Sequence, residues 1–227
     1  MRSGITIFIL ERMDNIESFF EQHPNCSNLK SSDLVKEIAS GKDADYLIEK
    51  YVLHNVPYYF KEKMDLYFEL KKDISKHFGI PITNIYLVGS GQFGFSLVEG
   101  KLFRDFAETE DESQGMEASD LDFAIISTKA FDEIWDELYD FKISNYPRSE
   151  EGDKAFKEFK KYLFKGWIRP DKFPKNFKGK SEWFEFFASL NAKVNRQVTC
   201  GIFRNETCFI KKYKESLNDL IRFVKGV

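Results

Sequence analysis

The run Asn84-Ile85-Tyr86-Leu87-Val88-Gly89-Ser90-Gly91-Gln92-Phe93-Gly94-Phe95-Ser96, followed downstream by Ser119-Asp120-Leu121-Asp122-Phe123-Ala124-Ile125-Ile126, decides the fold. The β-branched and aromatic residues from Ile85 to Val88 read as a short strand. Three glycines close together then allow backbone conformations and close approaches that side chains forbid. In the second run, residues i and i+2 of an extended strand share a face about 6.6 Å apart. Asp120 and Asp122 therefore present two carboxylates side by side, while Leu121, Phe123 and Ile125 face a core. Carboxylates on an apolar strand are costly unless they are paired or bind a cation. Mg²⁺ is commonly held by one or two carboxylates together with substrate phosphates. The bland reading is that both acids sit in a solvated turn ahead of the strand. The glycine turn weighs against it, because Gly89 and Ser90 can offer an amide and a hydroxyl to phosphate oxygens.

Working outward, Tyr46, Leu47, Tyr51 and Val52, then Phe60, Met64, Tyr67, Leu70 and Ile74, recur at helical spacing on either side of Pro57. They predict two helices ahead of the first strand, ending at Gly79 and Pro81. After the second strand, Phe131, Ile134, Trp135 and Leu138 lie on one face of a helix capped by Ser127 or Thr128. A basic helix to Phe164 follows, then a loop from Gly166 to Pro174, a helix over 183–190, a strand over 197–203 and a helix over 212–224. The expected fold class is α+β, a small mixed β-sheet flanked by N- and C-terminal helices. Residues 1–44 read as an N-terminal extension and 45–227 as one domain, with its core at 82–145 and a helical and strand part at 150–227.

The central segment resembles the DNA polymerase β-like nucleotidyltransferase superfamily. The resemblance rests on Leu87-Val88-Gly89-Ser90, Gly94-Phe95-Ser96 and Ser119-Asp120-Leu121-Asp122-Phe123, within about Asn84 to Ile126, and on the order of the surrounding helices. It implies that Gly89 and Ser90, with Gly94 and Ser96, hold the triphosphate of a nucleoside triphosphate. It also implies that Asp120 and Asp122 bind catalytic Mg²⁺ or Mn²⁺, and that a nucleotidyl group passes to a protein, small-molecule or nucleotide acceptor. Small stand-alone members often serve prokaryotic defence, including antiviral defence, or toxin–antitoxin systems. The chain departs from the family in two places. The gap from Ser90 to Asp120 is long and acidic, and is expected to form a surface loop. The family's third acid, on a later strand, has no counterpart between Arg196 and Arg204. Glu206 lies just past that strand, and Thr199 or Gln197 stands at the position itself. The alternative from a different class is a catalytically degenerate module that binds nucleotide or a protein partner.

Other chemistries fit less well. No histidine follows Ser90 or Ser96 to serve a serine nucleophile, and the crossover layout of a dinucleotide site is missing around Gly89-x-Gly91-x-x-Gly94. Cys26, Cys200 and Cys208 and the histidines His23, His54 and His77 lack metal-site or disulfide spacing. The 227 residues carry a net charge of only −3, but Lys154 to Lys180 holds ten basic residues against Glu158 and Asp171. That segment is +8, leaving −11 elsewhere. Its interleaved Phe156, Phe159, Tyr162, Phe164, Trp167, Phe173 and Phe177 could meet a protein partner or a short nucleic acid. The bland reading is a helix with a solvated lysine face and a phenylalanine core face. Trp167 and Arg169 could clamp a nucleotide, although a packed Trp beside a surface Arg is the simpler account. The apolar run Ile5 to Leu10 is too short for a membrane span or signal peptide, so a cytoplasmic protein without a membrane is expected.

Overall fold

The computed structural model describes residues 16–24, 29–109, 118–144 and 150–226, and lays the two quoted runs side by side. Strand β1 (Ile85–Val88) pairs antiparallel with β2 (Leu121–Ile126), setting Val88 opposite Asp122. On the other side of β2, strand β4 (Val198–Phe203) runs parallel, with Thr199 opposite Asp122. The two-residue strand β3 (Trp167–Ile168) adds antiparallel to β4, giving a four-stranded mixed sheet in the order β1-β2-β4-β3. The protein is α+β and mostly helical.

Strand alternation sorts the residues of this sheet into two faces. Leu121, Phe123, Ile125, Cys200 and Ile202 join one core with α4 (Met64–Phe78), α6 (Thr128–Ser144), α7 (Glu150–Phe164) and α8 (Lys178–Val194). Val88, Ala124 and Phe203 join a second core with α2 (Leu29–Ala39), α3 (Ala44–Ile48) and α9 (Glu206–Lys225). Helix α1 (16–22) adds Phe19 at its margin. The helices begin and end where the chemistry allows. Asn205 accepts from the Cys208 amide at 3.0 Å and starts α9 six residues ahead of the expected Lys212. Gly79, at φ +60, closes α4.

Residues 29–44, set apart in the sequence as an extension, are part of this fold. Leu34, Val35 and Ile38 of α2 are fully buried against the second core. The segment Ile5–Leu10 and Cys26 lie outside the described residues. No helix among the described residues is long and apolar enough to cross a membrane.

The basic stretch largely follows its bland reading. Phe159, Phe173 and Phe177 are buried, and Phe156 packs against the same core. Trp167 stacks on Phe203 with ring centroids 5.4 Å apart. Phe164 is the exception, 94% exposed.

The region after the glycine turn forms an ordered strap over its described part rather than a surface loop. Phe95 bridges Asp105, the Ser96 amide donates to Arg104 at 2.8 Å, and Phe103 donates back to Ser96 at 2.8 Å. Arg196 holds the strap's far end, its guanidinium donating to the carbonyls of Ala107, Glu108 and Ser119. The same guanidinium lies over the rings of Tyr59 and Phe106, at 4.7 and 4.9 Å. Glu110, Asp111, Glu112 and Glu117 lie outside the described residues.

Candidate functional site

The register puts Asp122 in the central strand between Val88 and Thr199. Its Oδ1 accepts a hydrogen bond from Thr199 Oγ1 at 2.5 Å. Its Oδ2 faces Gly89, where an added Cβ would stand 2.9 Å from that oxygen. Gly89 also has φ +64, a conformation disfavoured for L side chains, so steric and dihedral demands both select glycine here. Ser90 follows in the five-residue helix α5 (Gly89–Phe93) and lines the same cleft as Asp122.

Asp120 lies one residue before β2, because pairing starts where the Leu121 amide donates to Gln197 at 2.9 Å. The sequence placed both acids in one strand. Instead, one exposed carboxylate stands just ahead of the strand and one partly buried carboxylate in it. Both still line one cleft of about 1540 Å³.

Cations gather on the wall facing Asp122. Arg169 pairs with Asp171 through two contacts of 3.1 and 2.9 Å, and its guanidinium lies 5.2 Å from the Trp167 ring centroid. Lys212 of α9 donates to Ser216 Oγ at 3.0 Å and also approaches Trp167. Burial pushes the Lys212 ammonium below its usual range, and the nearby charges of Lys165 and Arg169 add to that fall, while Glu215 and Asp219 oppose it. Burial pushes the Asp122 carboxyl upward, against the Thr199 hydrogen bond and the charge of Arg169. Tyr213 is raised by burial and by the Asp122 charge, and Cys200, buried behind the strand, is raised by burial. An anion that brings its own cation satisfies both walls at once.

The two other residues expected to bind nucleotide have structural duties. Gly94 is not among the residues lining the cleft. Its φ of +83 ends α5, and its carbonyl accepts from the Phe106 amide at 2.9 Å. Ser96 borders the cleft but is buried, its hydroxyl accepting from the Val98 amide at 3.1 Å to fold the strap.

Asp120, Asp122 Oδ2 and the Ser90 hydroxyl are oxygen donors bordering the cleft, the ligand type Mg²⁺ takes alongside phosphates. Thr199, not an acid, stands opposite Asp122 on β4, and no group of three acidic, histidine or cysteine side chains among the described residues is placed to hold a metal. Glu206 does not stand beside Asp122. It opens α9 beyond Phe203, and about 13 Å of strand separates Thr199 from that end of β4. Lys212 and Tyr213 went unread in the sequence, where they were indistinguishable from one turn of an amphipathic helix. The available signal was a cation in the second turn of the helix that follows the last strand.

Comparison with family models, with curated proteins and with solved structures finds no match for this chain.

Proposed function

We propose that this protein binds a nucleoside triphosphate with one Mg²⁺ and transfers its nucleotidyl group to an acceptor, as its resemblance to polymerase β-like nucleotidyltransferases suggests. The observation that carries this reading is the approach of Gly89 to Asp122 Oδ2, with Asp120 and Ser90 on the same cleft and Arg169 and Lys212 facing them. Gly89 and Ser90 receive the phosphates on the backbone, where no side chain intervenes. Asp120 and Asp122 hold the cation, and Thr199 fixes the rotation of the Asp122 carboxylate so that Oδ2 stays directed at the turn. Arg169 and Lys212 complement the charge of the polyphosphate and leave it aligned across the cleft. Magnesium, when bound, supplies neutralisation of phosphate charge and of the leaving pyrophosphate.

A second reading, nucleotide binding without transfer, is favoured by one specific observation. Thr199 stands on β4 where the resembled family carries its third acid, so that strand offers no carboxylate there to help activate an acceptor hydroxyl. One experiment separates the two. The protein is incubated with each α-labelled nucleoside triphosphate, Mg²⁺ or Mn²⁺ and protein, small-molecule and nucleotide acceptors, and nucleotide affinity is measured in parallel. Transfer predicts a labelled product that Asp122→Asn reduces by about 100-fold or more. Metal-dependent affinity without product supports the second reading. Absence of both product and affinity overturns the two together.

A further inference from the structure

Away from the cleft, α6 and the end of α7 expose an aromatic surface that the proposed chemistry does not use. Trp135 is 40% exposed, Tyr139 54%, Ile143 67% and Phe164 94%. Trp135 and Tyr139 stack with ring centroids 5.5 Å apart and planes 10° apart. Trp135 and Phe164 border one groove of about 830 Å³, floored by Phe131 and Leu163. Large aromatics of this kind, exposed together, mark association surfaces.

The charges around the aromatics are separated by element. On α6, Asp132, Asp136 and Asp140 recur every fourth residue beside Trp135, Tyr139 and Ile143. On α7, Lys154, Lys157 and Lys161 form a stripe at spacings of three and four that leads directly to Phe164. Asp136, Asp140, Lys154, Lys157 and Lys161 make no ion pair with another described residue. A surface carrying an acidic aromatic stripe next to a basic aromatic one is complementary to itself after a two-fold rotation. That is the requirement for an isologous contact, in which α6 of one copy meets α7 of the other and the reverse holds simultaneously. A partner of uniform charge would match one stripe and be repelled by the other.

We propose that this face is a homodimer interface, with the Trp135/Tyr139 pair of each copy packed against Phe164 of the other and the Asp136/Asp140 and Lys157/Lys161 stripes crossed between copies. The groove shares Trp167 and Lys212 with the nucleotide cleft, but none of the contact residues named here lines that cleft, so the contact does not depend on how the cleft is read. Sedimentation and light scattering of the full chain over the micromolar range, at low and high salt, test it. A closed dimer is expected, with a dissociation constant that rises as salt screens the stripes. Trp135→Ser with Tyr139→Ser raises that constant by about 10-fold or more while the far-ultraviolet spectrum stays unchanged. The surface pair Lys157→Glu and Lys161→Glu, which leaves the core untouched, weakens the dimer. Adding Asp136→Lys and Asp140→Lys to it restores association. A monomer at every concentration overturns the proposal, as does a dimer indifferent to all these changes or an open-ended series of oligomers. Binding of a labelled oligothymidylate by a monomeric chain, lost in Lys157→Glu/Lys161→Glu, also overturns it and assigns the basic stripe to nucleic acid instead.

Discussion

Strands β2 and β4 have two faces that obey opposite rules. On one, Leu121, Phe123, Ile125, Cys200 and Ile202 are all buried against helices, and no polar side chain of those strands interrupts them. On the other, the same strands show Asp122, Ala124, Thr199 and Gly201 before reaching Phe203. Small and polar residues keep that face from being filled at the end where Gly89 turns, and the cleft opens there. The first face supplies stability. The second gives up apolar contact, which leaves the cleft open and Asp122 partly desolvated, an arrangement of the kind that trades stability for a site.

Truncating the sealed face should give the largest effect. Phe123 is 2% exposed, and Phe123→Ala should cost about 3–5 kcal/mol, read as a fall in the urea midpoint with little change in slope. A loss below about 1 kcal/mol would show that this face is not the packed one. Next in size is Gly89→Ala on the open face. It pays the left-handed conformation, about 1–2 kcal/mol, and drives a Cβ toward Asp122 Oδ2. Nucleotide affinity should fall with it, measured by titration with and without Mg²⁺. Unchanged affinity would separate the turn from the ligand site.

Asp122→Asn should be smaller in stability and opposite in sign. The carboxyl is pushed upward by burial, so exchanging it for an amide that can still accept from Thr199 should leave stability unchanged or raise it by about 1 kcal/mol. Ligand binding should nevertheless be lost. A variant that both unfolds and fails to bind would make Asp122 structural, and the contrast between the faces would disappear.

The sealed face was the more legible of the two. Period-two spacing of Leu121, Phe123 and Ile125 and helical spacing of Leu70, Ile74, Phe131 and Leu138 are local signals, and each of these residues is buried. The open face depends on contacts far apart in the chain. Arg196 reaches back 89 residues to Ala107 to hold the strap, so nothing near Ala107 announces an ordered segment. The strand β3 has only two residues, and Trp167 and Ile168 acquire strand geometry by pairing with Phe203 and Ile202. Gly89 and Asp122 were visible as residue types. Their approach is set by the register of β1 on β2, which a one-residue slip would have reversed.

A titratable group at the margin of the sealed side sets the smallest expected effect. His77 of α4 stacks flat on Phe186 of α8, with ring centroids 3.7 Å apart and planes 7° apart. Burial lowers its imidazole below the ordinary 6.5, with Glu182 opposing the shift. A lowered folded value means that the unfolded chain takes up the proton first. His77 therefore contributes its full stability above 6.5, and that contribution is lost as the pH falls through the folded value. His77→Phe keeps the stack and removes the titration, so its urea midpoint should vary less than wild type between neutral pH and pH values just below 6.5. Equal pH dependence in the two proteins would mean that the margin is wet enough to accept the charge. The contrast between a face that tolerates ionisation and one that resists it would then begin further inside the core.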